Sequence, residues 1–145
     1  MKPAILMSAC LMGTRCRYNA EIVESPHLAE LMEKYTVIPV CPETLGGLPT
    51  PREPAERLGE LVLTKSGADV TDYFERGADE VLRLARLYGC KCAVLKERSP
   101  SCGSERIYDG AFSGTLIGGD GVCAEVLKAA GIAVFGESRI DELLK

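Results

Sequence analysis

Three cysteines of this chain stand in settings that favour thiolate chemistry over packing. Cys10 lies in Ser8-Ala9-Cys10-Leu11-Met12-Gly13, Cys41 in Val40-Cys41-Pro42-Glu43, and Cys102 in Ser99-Pro100-Ser101-Cys102-Gly103. A lone free cysteine is ordinarily buried filler. Three of them beside Gly and Pro, which make turns rather than core, argue for a metal or thiol site. Polar partners stand next to them. Glu43 follows Cys41 by two residues, and burial near a metal would suit its carboxylate to taking or giving a proton. Ser101 precedes Cys102, and its hydroxyl could bond a substrate. Each also has a plainer reading, as a solvated loop glutamate and a turn serine. Tyr108 and Asp109, further along, could orient a substrate or close a turn.

Cys16 competes for a ligand position, six residues after Cys10. Spacing alone leaves open a four-cysteine site, which would be closed and structural. Three thiolates would instead leave one iron of a cluster open to substrate. Cys123 falls on a helix and reads as packing, while Cys90 and Cys92 enter a strand at its amino end, away from the others. His27, the one histidine, reads as a surface residue, so a histidine-based nucleophilic triad has little support. Gly118-Gly119-Asp120-Gly121 precedes a helix N-terminus, where anions are favoured, but it lacks the full dinucleotide fingerprint.

The elements that would position these residues alternate between strand and helix. A buried strand spans Pro3 to Ala9. Ser25 reads as an N-cap with Pro26 at the first helical position, and Leu28, Leu31, Met32 and Tyr35 recur at helical spacing. Thr36 to Val40 is a second strand, whose Pro39 argues for an edge position or for the strand breaking off there. Cys41 to Arg57 is too rich in Pro and Gly for helix, and Leu61 to Thr64 suggests a small accessory strand. Phe74, Ala78, Val81, Leu82, Ala85 and Tyr88 mark the longest helix, from about Thr71 to a stop at Gly89. Cys92 to Lys96 is a third strand, followed by a loop from Glu97 to Gly119. Asp120 caps a helix ending at Gly131, Ile132 to Phe135 is a fourth strand, and Ser138 caps a terminal helix.

This order implies a single α/β domain over residues 1–145, Rossmann-like, with a mostly parallel sheet flanked by helices. In such sheets ligands bind beyond the carboxyl ends of the strands. Cys10 follows the first strand, Cys41 the second, and Cys102 lies in the loop after the third. The two longest irregular segments leave from the same edge, as functional loops do.

Composition narrows the function classes. Of 145 residues, 46% are apolar and 26% charged, a globular rather than disordered profile. No run of about 18 apolar residues is present, so no membrane span is expected. The segment from Met1 to Ile5 lacks the features of a signal peptide, and a cytoplasmic protein is expected. The net charge of −4 comes without a basic stripe, so small substrates are favoured and nucleic acid is unlikely as a partner. An odd number of cysteines in a reducing compartment favours metal or thiol chemistry over a disulfide framework. Nothing in the sequence fixes the oligomeric state.

The three cysteine motifs, together with Leu48-Pro49-Thr50-Pro51-Arg52, Asp69-Val70-Thr71 and Gly121-Val122, resemble the thiouracil desulfidase family over essentially the whole chain. The resemblance implies a [4Fe-4S] cluster held by Cys10, Cys41 and Cys102, with the fourth iron free to take sulfur from a thiolated base. Glu43 and Ser101 would be the catalytic pair. The implied reaction is non-redox and converts thiouracil to uracil and sulfide. In the mechanism that follows, the open iron polarises the C–S bond, Glu43 activates water or shuttles protons, and Ser101 positions the ring or stabilises developing charge. The expected partner is a small-molecule thiolated base. Two other classes stay open: a sulfur- or metal-carrying binding protein without turnover, and a small-anion-binding domain whose cysteines are incidental.

Overall fold

In the computed structural model, which describes residues 2–145, the apolar run near the start forms β1 (Ala4–Ser8). A short 3-10 turn, Ala9–Met12, continues it and ends at Gly13 in the left-handed region, with φ at 92°. A long excursion leads to α1 (Leu28–Lys34) and then β2 (Thr36–Val40), α2 (Pro42–Leu45), β3 (Ala55–Leu58) and β4 (Leu61–Thr64). The long helix α3 (Thr71–Tyr88) precedes β5 (Cys92–Leu95), and a hairpin of β6 (Arg106–Tyr108) and β7 (Leu116–Gly118) follows. The chain closes with α4 (Val122–Ala129), β8 (Ala133–Gly136), a 3-10 turn and α5 (Asp141–Leu144).

The main sheet has four strands in the order β2-β1-β5-β8, all parallel. β2 is an edge strand and continues through Pro39 to Val40, so of the two readings of Pro39 the edge position holds, since a proline cannot donate to a ladder on both sides. Side chains alternate across β1. Leu6 packs on one face with Phe74, Ala78 and Val81 of α3 and with Leu127 of α4. Ile5 and Met7 pack on the other with Leu31 of α1 and Ile140. The sheet is therefore covered on both faces, which is why its strands read as continuous apolar runs. The expected α/β class and the parallel sheet flanked by helices are what the chain adopts.

Glycines set one contact that matters for the site. α2 crosses α3 backbone to backbone: a Cβ on Gly46 would land on the carbonyl oxygen of Tyr73, and one on Gly77 would land on that of Pro42. Only glycine admits this approach. The turn carrying Glu43 is thus seated directly on the longest helix.

Several sequence expectations are corrected. The segment from Cys41 to Arg57, read as non-helical, contains α2, because Pro42 occupies the first helical position, where its missing N–H costs nothing. The loop from Glu97 to Gly119 contains the β6–β7 hairpin. Asp120 does not cap α4. Gly121 does, and the Asp120 carboxylate instead takes the Glu105 N–H and pairs with Lys128. Pro26 precedes the helix, which starts at Leu28, although the Ser25 hydroxyl does accept the His27 N–H. Ser138 donates to Glu97, in a 3-10 turn before a four-residue α5.

Candidate active site

Cys10, Cys41 and Cys102 all line one cavity of about 550 Å³ at the carboxyl edge of the sheet, together with Cys16, Glu43 and Ser101. Three adjacent strands place them. β1 ends level with β2, Ser8 opposite Val40, so Cys10 and Cys41 leave neighbouring strand ends. β5, on the other side of β1, leads to the Cys102 loop. The Ser8 hydroxyl ties these ends together by accepting the Lys96 N–H at 2.9 Å and lying 3.4 Å from Cys102 Sγ.

The Cys102 loop is built largely from backbone. The Ser99 hydroxyl accepts the N–H groups of Ser101 and Cys102, each at 3.1 Å. The N-terminus of α4 then caps the loop: Val122 donates to the Pro100 carbonyl at 2.8 Å, and Cys123 to that of Ser101 at 2.9 Å. A Cβ on Gly121 would fall 2.6 Å from the Ser101 carbonyl oxygen, so this close approach requires glycine. The glycine-rich turn read as a possible anion site is therefore occupied by the carbonyls of the Ser101 loop.

From this loop a chain of polar groups runs along the cavity. Ser101 Oγ donates to Glu43 Oε2 at 2.9 Å, and the hydroxyls of Ser99 and Ser101 lie 3.0 Å apart. Glu43 Oε1 accepts from Arg52 Nε at 3.0 Å. The same guanidinium reaches the carbonyls of Pro49 and Cys16 and the Thr50 hydroxyl. With its side chain 6% exposed, Arg52 is fixed at four points. It appeared in the sequence only as the end of a motif. Its role is visible only once the fold brings residue 52 against residues 16 and 43, a separation that periodicity cannot bridge.

Three of the cavity thiols, Cys16, Cys41 and Cys102, are shifted towards the protonated form. Burial pushes Cys102 up to about 12, against the hydroxyls of Ser8 and Ser101, which favour the thiolate. Cys41 is raised well above its ordinary value, first by its hydrogen bond with Cys16 and then by burial. Cys16 is raised mainly by its contact with Cys10. Among the described residues no three His, Cys, Asp or Glu side chains are gathered closely enough for one metal ion. A multi-atom iron–sulfur group fits the donor set better: soft sulfur donors, buried and converging on a roomy cavity, whose protons a metal would displace.

The remaining cysteines lie elsewhere. Cys123 is fully buried in the core, and Cys90 and Cys92 do not line the cavity. His27 is half-buried at the start of α1, beside Glu30. Tyr108 lines the cavity and Asp109 does not, its carboxylate accepting the Ala111 N–H in a turn. No helix among the described residues is long and apolar enough to cross a membrane.

Comparison with known proteins gives the family and the fold. The model of the 2-thiouracil desulfurase family matches residues 5–139. The chain is 42% identical to the uncharacterized protein YbbK of Bacillus subtilis (strain 168), over 97% of this chain and 99% of that protein. Among solved structures it is similar to the [4Fe-4S]-dependent thiouracil desulfidase TudS, with 47% identity and a TM-score of 0.93, covering 98% of this chain and 95% of the other.

Proposed function

The chain belongs to the 2-thiouracil desulfurase family, and from that premise we propose that it is a [4Fe-4S]-dependent desulfidase. It would convert thiouracil, or a related small thiolated base, and water to uracil and hydrogen sulfide, without net redox change. The observation that carries this reading is the convergence of Cys10, Cys41 and Cys102 on the cavity that also holds the Ser101–Glu43 hydrogen bond.

Those three cysteines would hold the cluster, and Cys16 would remain a neighbouring thiol. When bound, a cluster with three protein ligands supplies an iron with an open position, a Lewis acid for a thiocarbonyl sulfur. The protein's own residues supply the rest. Arg52 occupies Glu43 Oε1 and leaves Oε2 facing Ser101. Glu43 takes a proton from water as the water oxygen bonds to the ring carbon, and returns it as the C–S bond breaks. Ser101, backed by Ser99, holds Glu43 Oε2 in place and positions the ring beside it.

A small base suits a cavity of this size, and the acidic chain without a basic stripe favours it over a nucleic acid. Seven free cysteines suit the reducing cytoplasm. Anaerobic reconstitution followed by incubation with thiouracil tests the proposal. A brown protein that releases sulfide and uracil in equal amounts is the expected result. A brown protein without turnover would make it a carrier, and a protein that takes up no iron would end the cluster reading.

A further inference from the structure

A second carboxylate on the cavity wall is not used by the chemistry above. β3 carries Glu56 to that wall, where it is 9% exposed. Its Oε1 accepts two backbone N–H groups of the hairpin loop, from Gly110 at 3.0 Å and Phe112 at 3.1 Å. Oε2 accepts no hydrogen bond and no ion pair from the described residues. Every fully buried side-chain oxygen among them has a partner, so Oε2 is one that reaches open space, and the space it borders is the cavity. Its chain neighbour Arg57 is committed elsewhere, to Asp120 and Glu125.

Open to the cavity and unclaimed by the protein, this oxygen is an acceptor that a bound molecule can reach with a donor. Pyrimidine thiones bring such donors. Ring N3–H lies between the two carbons that can carry sulfur, so it adjoins the reacting carbon in either isomer. The same carboxylate sets the wall around it. Phe112 lines the cavity with a left-handed backbone, φ at 56°. That conformation is rare for a bulky residue, and here the bond from its N–H to Glu56 helps to hold it.

We propose that Glu56 Oε2 accepts the ring N3–H of the thiolated base and so selects substrates with that position unsubstituted. The proposal rests on the desulfidase reading and deepens it. One carboxylate would then both fix the loop that bears Phe112 and read the ring edge. A site built to accept a ring N–H discriminates strongly against analogues lacking it, because the acceptor is then left buried and unpaired.

The test compares 4-thiouracil with its 1-methyl and 3-methyl derivatives in the wild-type protein and in Glu56→Gln. The wild type is expected to turn over the 3-methyl compound with kcat/KM lower by roughly 10- to 100-fold, the scale of one charge-assisted hydrogen bond. The 1-methyl compound should be tolerated, and Glu56→Gln should erase the difference. Calorimetric binding of uracil and 3-methyluracil should show the same pattern without turnover. Discrimination that persists in Glu56→Gln, or an equal loss for all three substrates, would overturn the proposal and leave Glu56 as a loop anchor. Absence of sulfide release by the wild type would count against the desulfidase reading alone, since calorimetry still reports on Glu56. If Glu56→Gln does not fold, Glu56→Asp keeps the charge, withdraws the acceptor and is read in the same way.

Discussion

The hydroxyl of Ser101 donates to Glu43 across 2.9 Å, joining two residues 58 positions apart in the chain. Glu43→Gln keeps an oxygen for that bond but cannot take up a proton. It is expected to retain its iron and lose roughly 10²- to 10⁴-fold in kcat, the usual span for general acid–base groups. Steady-state sulfide release beside the visible spectrum of the same sample checks this, and unchanged turnover would remove Glu43 from the chemistry.

Arg52 positions that carboxylate. Its side chain and that of Glu43 are 6% and 16% exposed, so removing one partner strands the other. Arg52→Ala should destabilise the fold by about 3–5 kcal/mol in urea unfolding. Arg52→Lys keeps a charge but cannot span Glu43, Pro49, Thr50 and Cys16 together. It should fold, and lose roughly 100-fold in kcat, as misplaced groups do. Near-normal kcat in Arg52→Lys would show that the fork geometry is dispensable.

Cys10→Ser, Cys41→Ser and Cys102→Ser are each expected to lose iron and labile sulfide after anaerobic reconstitution, whereas Cys16→Ser should keep both. Metal and sulfide assays on the four variants decide the ligand set. Bleaching by Cys16→Ser alone, with Cys41→Ser still loaded, would reassign it.

Gly77→Ala tests the seat of α2. Its Cβ meets the Pro42 carbonyl, so α2 must shift or strain. A loss of about 1–3 kcal/mol is expected from overpacking, along with reduced turnover because Glu43 moves. Thermal unfolding and kcat on one preparation measure both, and an unperturbed variant would show that the two helices can separate without cost to the site.

A pH dependence follows from Asp120. Partial burial raises its carboxyl, but the Glu105 N–H and the Lys128 ammonium outweigh burial and hold it below the ordinary value. A depressed folded-state pKa adds stability that is full above the unfolded value and is lost as pH falls through the folded one. The stability gap between wild type and Asp120→Asn should therefore be present at neutral pH and close below the ordinary carboxylate range. A gap that is constant into acid would contradict the assignment.

Much of the fold was legible in the sequence because β1, β2, β5, α3 and α4 have clear periodicity and stops, and a parallel order follows from their alternation. The approximate place of the site was legible for the same reason, since Cys10, Cys41 and Cys102 fall just after strands. What escaped were short elements stabilised from a distance. α2 has only four residues and exists because Gly46 and Gly77 let it dock on α3. Arg52 and Glu56 carry no local signature, as each acquires its meaning from partners on other elements. Asp120 looked like a cap because composition favours Asp there, but the hairpin and Lys128 claim its carboxylate.

The strand order carries a consequence for how the protein comes to be made. β5 docks against β1 on the flank opposite β2, so a chain emerging from the ribosome presents Cys10 and Cys41 well before the strand that leads to Cys102 is made. Until α3 has crossed and β5 has paired with β1, the receptacle lacks its third wall, and Cys10, Cys16 and Cys41 have no Cys102 loop to close over them. Delivery of inorganic iron and sulfide would then have to wait for completed synthesis, and agents that cap thiols should do most damage during translation rather than after it.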